Sequence, residues 1–394
     1  MTDVLTPADA PETAAIMRAA AEARTPLAVE GGGTKAAMGR PAQAASTLST
    51  RRMAGITLYE PAELVIAARS GTPLAEIERT LAERGQMLPF EPLDYRALLG
   101  SVGEPTVGGL VGANLSGPRR IAAGACRDSL IGVKMVNGRG EEVVSGGRVM
   151  KNVTGLDLAR LLAGSWGTLA VFTEITFKVS PAPAHTATLV LHGLDDRRAI
   201  DALSQGLGSP FEVSGAAHLP GVIERVPKTL LRLEGFPASV AYRMGELRRL
   251  LSGFGRADVL EGDVVAALWR GIRDATFLAE PRDAAVWRVS IAPSKAAAFV
   301  AGLSEMLPFR HVYDWGGGLV WVGTSASDAG VAAVRAALVG SGGHATLVRA
   351  PAEVRASAPV FDPPAAGIAA LTAGVKASFD PAGILNPGRM YAGL

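Results

Sequence analysis

The chain has 394 residues, enough for two to three domains at roughly one per 150 residues. Apolar residues make up 48% and charged residues 19%, a globular composition with ample core and no disordered or fibrous bias. Lysine and arginine exceed the acids by only two, without a basic tract, so nucleic-acid binding has no support. The single Cys126 excludes an internal disulfide and a cysteine-held metal or iron–sulfur cluster in this chain.

The first residues, MTDVLTPADAPET, lack the basic and apolar regions of a secretory leader. No run of about 18 apolar residues predicts a transmembrane helix, and a cytoplasmic location is expected. Residues 12–24 read as an alanine-rich helix stopped by Pro26. LAVE at 27–30 reads as a strand that runs into Gly31-Gly32-Gly33-Thr34. Residues 57–71 predict two strands around Pro61, and 72–85 a helix with Thr72 as N-cap, Pro73 at its first position and Gly85 beyond its end. A second glycine-rich loop is expected at 106–118, TVGGLVGANLSGP. Residues 129–147 predict a hairpin turned at Asn137-Gly138, 156–164 a short helix, and 168–180 a long buried strand.

The proline-rich PAPAH at 181–185 is the best candidate boundary. Beyond it, strands near 186–191, 230–235 and 287–292 alternate with helices near 237–252, 262–276, 294–305 and 327–339, as in a ferredoxin-like α+β unit. A helix and a turn-rich tail occupy 367–390, and no internal repeat is visible. The expected organisation is α+β, with residues 1–183 as a cofactor domain, 184–362 as a cap, and 363–394 returning to the first domain.

Two glycine loops in one N-terminal region suit a long anionic ligand. Glycine lets main-chain amides approach closely and adopt positive φ, forming an anion-binding nest. Charge-assisted hydrogen bonds are worth roughly 1.5–3 kcal/mol each, so three or four amides suffice for a diphosphate. GGGTK lacks the spacing of a P-loop, and no complete GxGxxG is present, which argues against a Rossmann site.

Four segments, in order, resemble the FAD-binding family that includes vanillyl-alcohol oxidase and para-cresol methylhydroxylase. They are GGGT at 31–34, TVGGLVGANLSGP at 106–118, KNVTGLDLARLLAGSWGTLAVFTE at 151–174 and FDPAGILNPGRM at 379–390. Within that family, SGPRR at 116–120 and KNVTG are most similar to the E-type subunit of bacterial glycolate oxidase. The resemblance implies a two-subdomain FAD domain of the methylhydroxylase type and a ferredoxin-like cap. It implies that Glu30, Gly31, Gly32, Gly33 and Thr34 hold the pyrophosphate. Thr106, Val107, Gly108, Gly109, Asn114, Ser116 and Gly117 would line the cofactor, Val171 would run past it, and Asn386 would return to its flavin side. No histidine precedes His185, so the FAD is expected to be dissociable.

The resemblance further implies a subunit of a glycolate, or other 2-hydroxy acid, dehydrogenase. Its partners would be a D-type flavoprotein and an iron–sulfur subunit, with peripheral association at the inner membrane through them. The chain departs from self-sufficient relatives in lacking a GHxGDGN segment, and Trp166 and Leu156 stand where an acid and a tyrosine are usual. A base could come from His218, His311 or His344 and a carboxylate-binding cation from Arg288 or Arg349, so no catalytic set is assigned. A self-sufficient hydroxy-acid dehydrogenase and an NADPH-dependent reductase of the cell-wall precursor type remain as alternatives.

Overall fold

The computed structural model describes residues 3–148 and 156–394; the KNVTG opening at 151–155 lies outside the described residues. Near the start, Asp9 accepts a hydrogen bond from the Glu12 amide and caps the helix Ala10–Ala23, which Arg24 ends in the left-handed region. Ala14, Met17 and Ala20 of that helix pack against a parallel three-stranded sheet ordered β1-β3-β2. Its strands are β1 (Asp3–Leu5), β2 (Leu27–Glu30) and β3 (Ser46–Ser49).

A second sheet, ordered β4-β5-β9-β7-β8, is antiparallel. It contains β4 (Ile56–Glu60), β5 (Val65–Arg69), β7 (Leu130–Asn137), β8 (Glu142–Gly146) and β9 (Ala170–Lys178). A small ribbon joins β6 (Gln86–Met87) to β10 (Ser180–Pro181). The helix expected at 72–85 is shorter, Leu74–Ala82, because the Thr72 hydroxyl is spent on Arg69 and Gly55 rather than on capping. The segment expected as a glycine loop is in part a helix, Val107–Ala113. Thr106 caps its start, and Asn114 closes it at φ 48°.

Eight further strands form one antiparallel sheet: β11 (His185–His192), β12 (Gly215–Leu219), β13 (Lys228–Gly235), β14 (Ala257–Glu261), β15 (Ala285–Ser290), β16 (Arg310–Asp314), β17 (Leu319–Thr324) and β18 (His344–Arg349). The order is β14-β11-β13-β12-β16-β17-β15-β18. Each half runs strand–helix–strand–strand–helix–strand, with its fourth strand outermost beside its first. Two ferredoxin-like units therefore stand edge to edge, a structural repeat that the sequence reading missed. They meet at β12 and β16 through the single paired position His218–Tyr313.

Alternation along these strands sends side chains to two faces. Leu189, Leu231, Trp287, Tyr313, Val320 and Leu347 face the packed helices Asp196–Leu207, Pro237–Leu250, Pro293–Ser304 and Val331–Leu338. Val190, Leu230, Val286, Val312, Trp321 and Val348 face the other way, onto Met38, Tyr95, Leu98 and Leu115 of the N-terminal part. Buried ion pairs reinforce this contact. Arg232 makes a bidentate bond to Glu91 at 2.7 and 3.0 Å, and Arg119 meets Glu234 at 2.8 Å. The tail then returns: the Leu27 amide donates to Ile384, and Gly138 to Phe379.

Candidate functional site

A cavity of about 350 Å³ opens where β2, the 31–36 turn, the helix Val107–Ala113, the 166–172 segment and the tail meet. That volume lies within the range of roughly 300–1,000 Å³ typical of small-molecule sites. The two glycine turns touch. A Cβ on Gly31 would fall 2.0 Å from the Thr106 hydroxyl, and one on Gly32 would fall 1.7 Å from the Glu104 carbonyl oxygen. Glycine at 31 and 32 is thus required by close packing, and only Gly33, at φ +76°, uses positive φ.

The amides of Gly31, Gly32, Gly33, Thr34 and Lys35 donate to no described residue. Those at the start of the neighbouring helix are already engaged: Val107 donates to Thr72, Gly108 to Ser70, and Gly109 to the Thr106 hydroxyl. The free donor set therefore belongs to the first turn. Lys35, Arg355 and Arg389 also line the cavity, and none has a carboxylate within 4 Å among the described residues. Arg355 donates to the Gly39 and Ala350 carbonyls, and Arg389 to that of Lys35. Burial lowers the Lys35 amine to about 8 and the Arg389 guanidinium to about 10. The buried Ser70 hydroxyl, also in the lining, has no partner among the described residues. Clustered free amides, unneutralised cations and an orphaned hydroxyl fit a ligand carrying a diphosphate.

Of the residues expected to line a cofactor, Glu30, Gly31, Gly32, Gly33, Thr34, Thr106, Gly108, Gly109 and Asn386 do line this cavity. Five do not. Val107 is buried in the core beneath the helix with Val111. The Asn114 side chain accepts from the Arg127 amide, and the Ser116 hydroxyl from the Cys126 amide. Gly117 is pressed against Glu91, and its carbonyl accepts from the Trp315 indole. Val171 points into the cluster around Met17 and Leu27; its neighbours Ala170 and Phe172 face the cavity instead, as strand alternation dictates. Ser70, Lys35, Trp166, Arg355 and Arg389 were missed. Lys35 directly adjoins one sequence signature and Arg389 lies inside another, whereas Arg355 had no local signal.

The tail is tied in by side chains. Asn386, at φ +42°, accepts from the Val29 amide at 2.9 Å and donates to the Trp166 carbonyl at 2.8 Å. Below it the Lys376 ammonium donates to Asp380 at 2.6 Å and to the Thr168 and Leu385 carbonyls. Asp380 in turn accepts from the Ile384 and Leu385 amides.

The candidate base and cation groups separate by sheet face. His311 and Tyr313 bond Asp196 at 2.9 Å each, and His218 lies 3.5 Å from it. That cluster sits on the helix-covered face, away from the cavity. Arg349 spends its guanidinium on the carbonyls of Ala284, Leu98, Ala279, Leu278 and Pro281. Arg288 and His344 remain, both on the other face. Cys126 is fully buried and burial pushes its thiol up, which makes it packing.

The model of a FAD binding domain family matches residues 2–146. The glycolate oxidase subunit GlcE of Escherichia coli K12 is 36% identical over 371 residues, 94% of each chain. The chain belongs to this FAD-binding family. Its cofactor is FAD, and it is a FAD-dependent oxidoreductase. The glycolate oxidase subunit GlcD of Bacillus subtilis is 28% identical over 59% of this chain, which spans 47% of that protein. A D-lactate dehydrogenase of Archaeoglobus fulgidus is 30% identical over 45% of this chain and 38% of its own length. Among solved structures, 4-ethylphenol oxidase from Gulosibacter chungangensis superposes at a TM-score of 0.73 with 13% identity, over 98% of this chain and 88% of that one. An alkyldihydroxyacetonephosphate synthase reaches 0.67 at 17% identity, over 98% and 75%. Both share the fold. No described helix is long and apolar enough to cross a membrane.

Proposed function

We propose that this chain is the FAD-binding subunit of a glycolate, or closely related 2-hydroxy acid, dehydrogenase complex. The reading is carried by the five free amides and three unneutralised cations of one cavity, in a chain collinear with glycolate oxidase subunit GlcE. In it, the 31–35 amides with Lys35, Arg355 and Arg389 hold the diphosphate non-covalently. Gly108 and Gly109 offer a flat wall, and Asn386 fixes Trp166 beside the ring. The cofactor would supply the hydride acceptor. The division into a FAD domain at 1–183, a cap at 184–362 and a returning segment at 363–394 belongs to the same proposal.

The only thiol is buried, so this chain cannot hold an iron–sulfur cluster by cysteine. Electrons would leave through an iron–sulfur partner, beside a D-type flavoprotein subunit, on the cytoplasmic side of the inner membrane. The test is reconstitution from three separately purified subunits, with dye reduction by glycolate as the readout. Glycolate-dependent reduction should need this chain loaded with FAD. Equal rates without it, or rapid bleaching of its flavin by NADPH instead, would overturn the reading.

A further inference from the structure

Two guanidinium groups gather on one indole ring, on the sheet face that looks toward the N-terminal part. Arg120, in the short helix Arg120–Ala123, has its Cζ 4.5 Å from the Trp315 ring centroid. Arg288 of β15 lies 4.9 Å from the same ring. Neither has a hydrogen bond or an ion pair among the described residues, and residues 1–2 and 149–155 contain no carboxylate that could supply one. The other arginines of this contact are satisfied, Arg232 and Arg119 by Glu91 and Glu234 and Arg349 by carbonyls.

Asp128 acts on Arg120 and Asp314 on Arg288, but neither carboxylate bonds its arginine among the described residues. Asp314 is 2% exposed, gives one oxygen to the Trp315 amide at 2.7 Å, and is pushed up to about 7 by burial. Burial holds both arginines below their ordinary value, and at Arg120 the nearby charge of Arg288 adds to it. A third group points to a missing ligand: the Tyr95 hydroxyl, on a side chain 2% exposed and set edge-on to Trp321, has no partner among the described residues. Thr346 pairs with Arg288 across β15 and β18, and His344 with Ser290. The patch is also linked to the cofactor cavity. Trp166 of the lining packs on Phe361 at 5.4 Å, and the next residue, Asp362, bonds the Ala345 amide beside His344.

We propose that Arg120 and Arg288, held against Trp315, form a carboxylate-binding site in this chain, whose ligand is a small monocarboxylate admitted between the eight-stranded sheet and the FAD cavity. A guanidinium fork matches a planar carboxylate, and flanking indoles exclude water and strengthen such a bond. The inference rests on the hydroxy-acid reading above and makes this chain a substrate-binding subunit. It uses no metal ligands and no GHxGDGN segment.

The experiment is calorimetric titration of the FAD-loaded chain with glycolate, with ethylene glycol as the probe that lacks the carboxylate. Glycolate should bind and ethylene glycol should not. Arg288→Met and Arg120→Met should each weaken glycolate binding at least tenfold, and Arg288→Lys should recover part of it; melting temperature and FAD content report whether each variant is folded. No glycolate binding by the wild-type chain, or equal affinity in both folded methionine variants, would overturn the site. Binding without flavin bleaching supports the site while assigning the chemistry to the partner subunit, so the two readings fail separately.

Discussion

The side-chain amide of Asn386 bonds the carbonyl of Trp166 at 2.8 Å, across 220 positions of sequence, while its oxygen takes the amide of Val29. One residue therefore fastens the tail, the strand before the glycine turn and the loop over the cavity. Asn386→Ala leaves a part-buried amide and a carbonyl unpaired, at a cost of about 1–3 kcal/mol. Urea unfolding should record that loss, together with faster release of FAD. A variant as stable and as yellow as the wild type would refute the fastening role.

Gly32 and Gly33 are expected to respond differently to alanine. At Gly32 the added carbon meets the Glu104 main chain, so the two turns must part, and FAD affinity should fall at least tenfold. At Gly33 the nearest atom is the far end of the long Arg51 side chain at 3.2 Å, and the positive φ is the main strain, at about 1–2 kcal/mol. Titrating both apo variants with FAD checks the order. A Gly33→Ala defect larger than that of Gly32→Ala would contradict it.

Lys376 and Asp380 form a buried pair under the tail. Asp380→Ala strands the ammonium and should destabilise by about 3–5 kcal/mol, whereas Lys376→Met combined with Asp380→Leu should cost less than either single change. A double-mutant cycle in denaturant decides this, and simple additivity would count against the coupling.

FAD binding should depend on pH through Lys35. Its amine titrates near 8 without ligand and is charged below that value, so it attracts a diphosphate at pH 7 and loses that attraction as pH rises through 8. The bound anion raises the amine's value, so the loss extends above 8 rather than ending there. Dissociation constants measured from pH 7 to 9.5 should rise, and Lys35→Met should bind more weakly with a flatter profile. Parallel profiles for the two proteins would eliminate the lysine.

Much of the cavity was legible because its elements are local. A strand running into Gly31-Gly32-Gly33-Thr34 can be read within a few residues, and so can the hairpin at Asn137-Gly138. The face of each residue was harder. Val171 was one position out of phase with the wall formed by Ala170 and Phe172, and Ser116 and Asn114 turned out to close backbone turns. Arg355 comes from the helix Ala352–Ser357, beyond the eight-stranded sheet in sequence, where nothing local marks it. Strand alternation, visible only once the register is known, separates Arg288 and His344 from His218 and His311. The duplicated ferredoxin-like unit escaped notice because its halves share a path and not a sequence pattern.

Val29 and Asn386 are 357 positions apart, yet both belong to the wall of one pocket. A chain cut short of residue 386 lacks Asn386 and Arg389 on that wall, however completely its first glycine turn has formed. That wall is therefore complete only once strand Leu27–Glu30 and the tail have met, and a chain truncated before residue 386 is expected to hold FAD more weakly than the whole one.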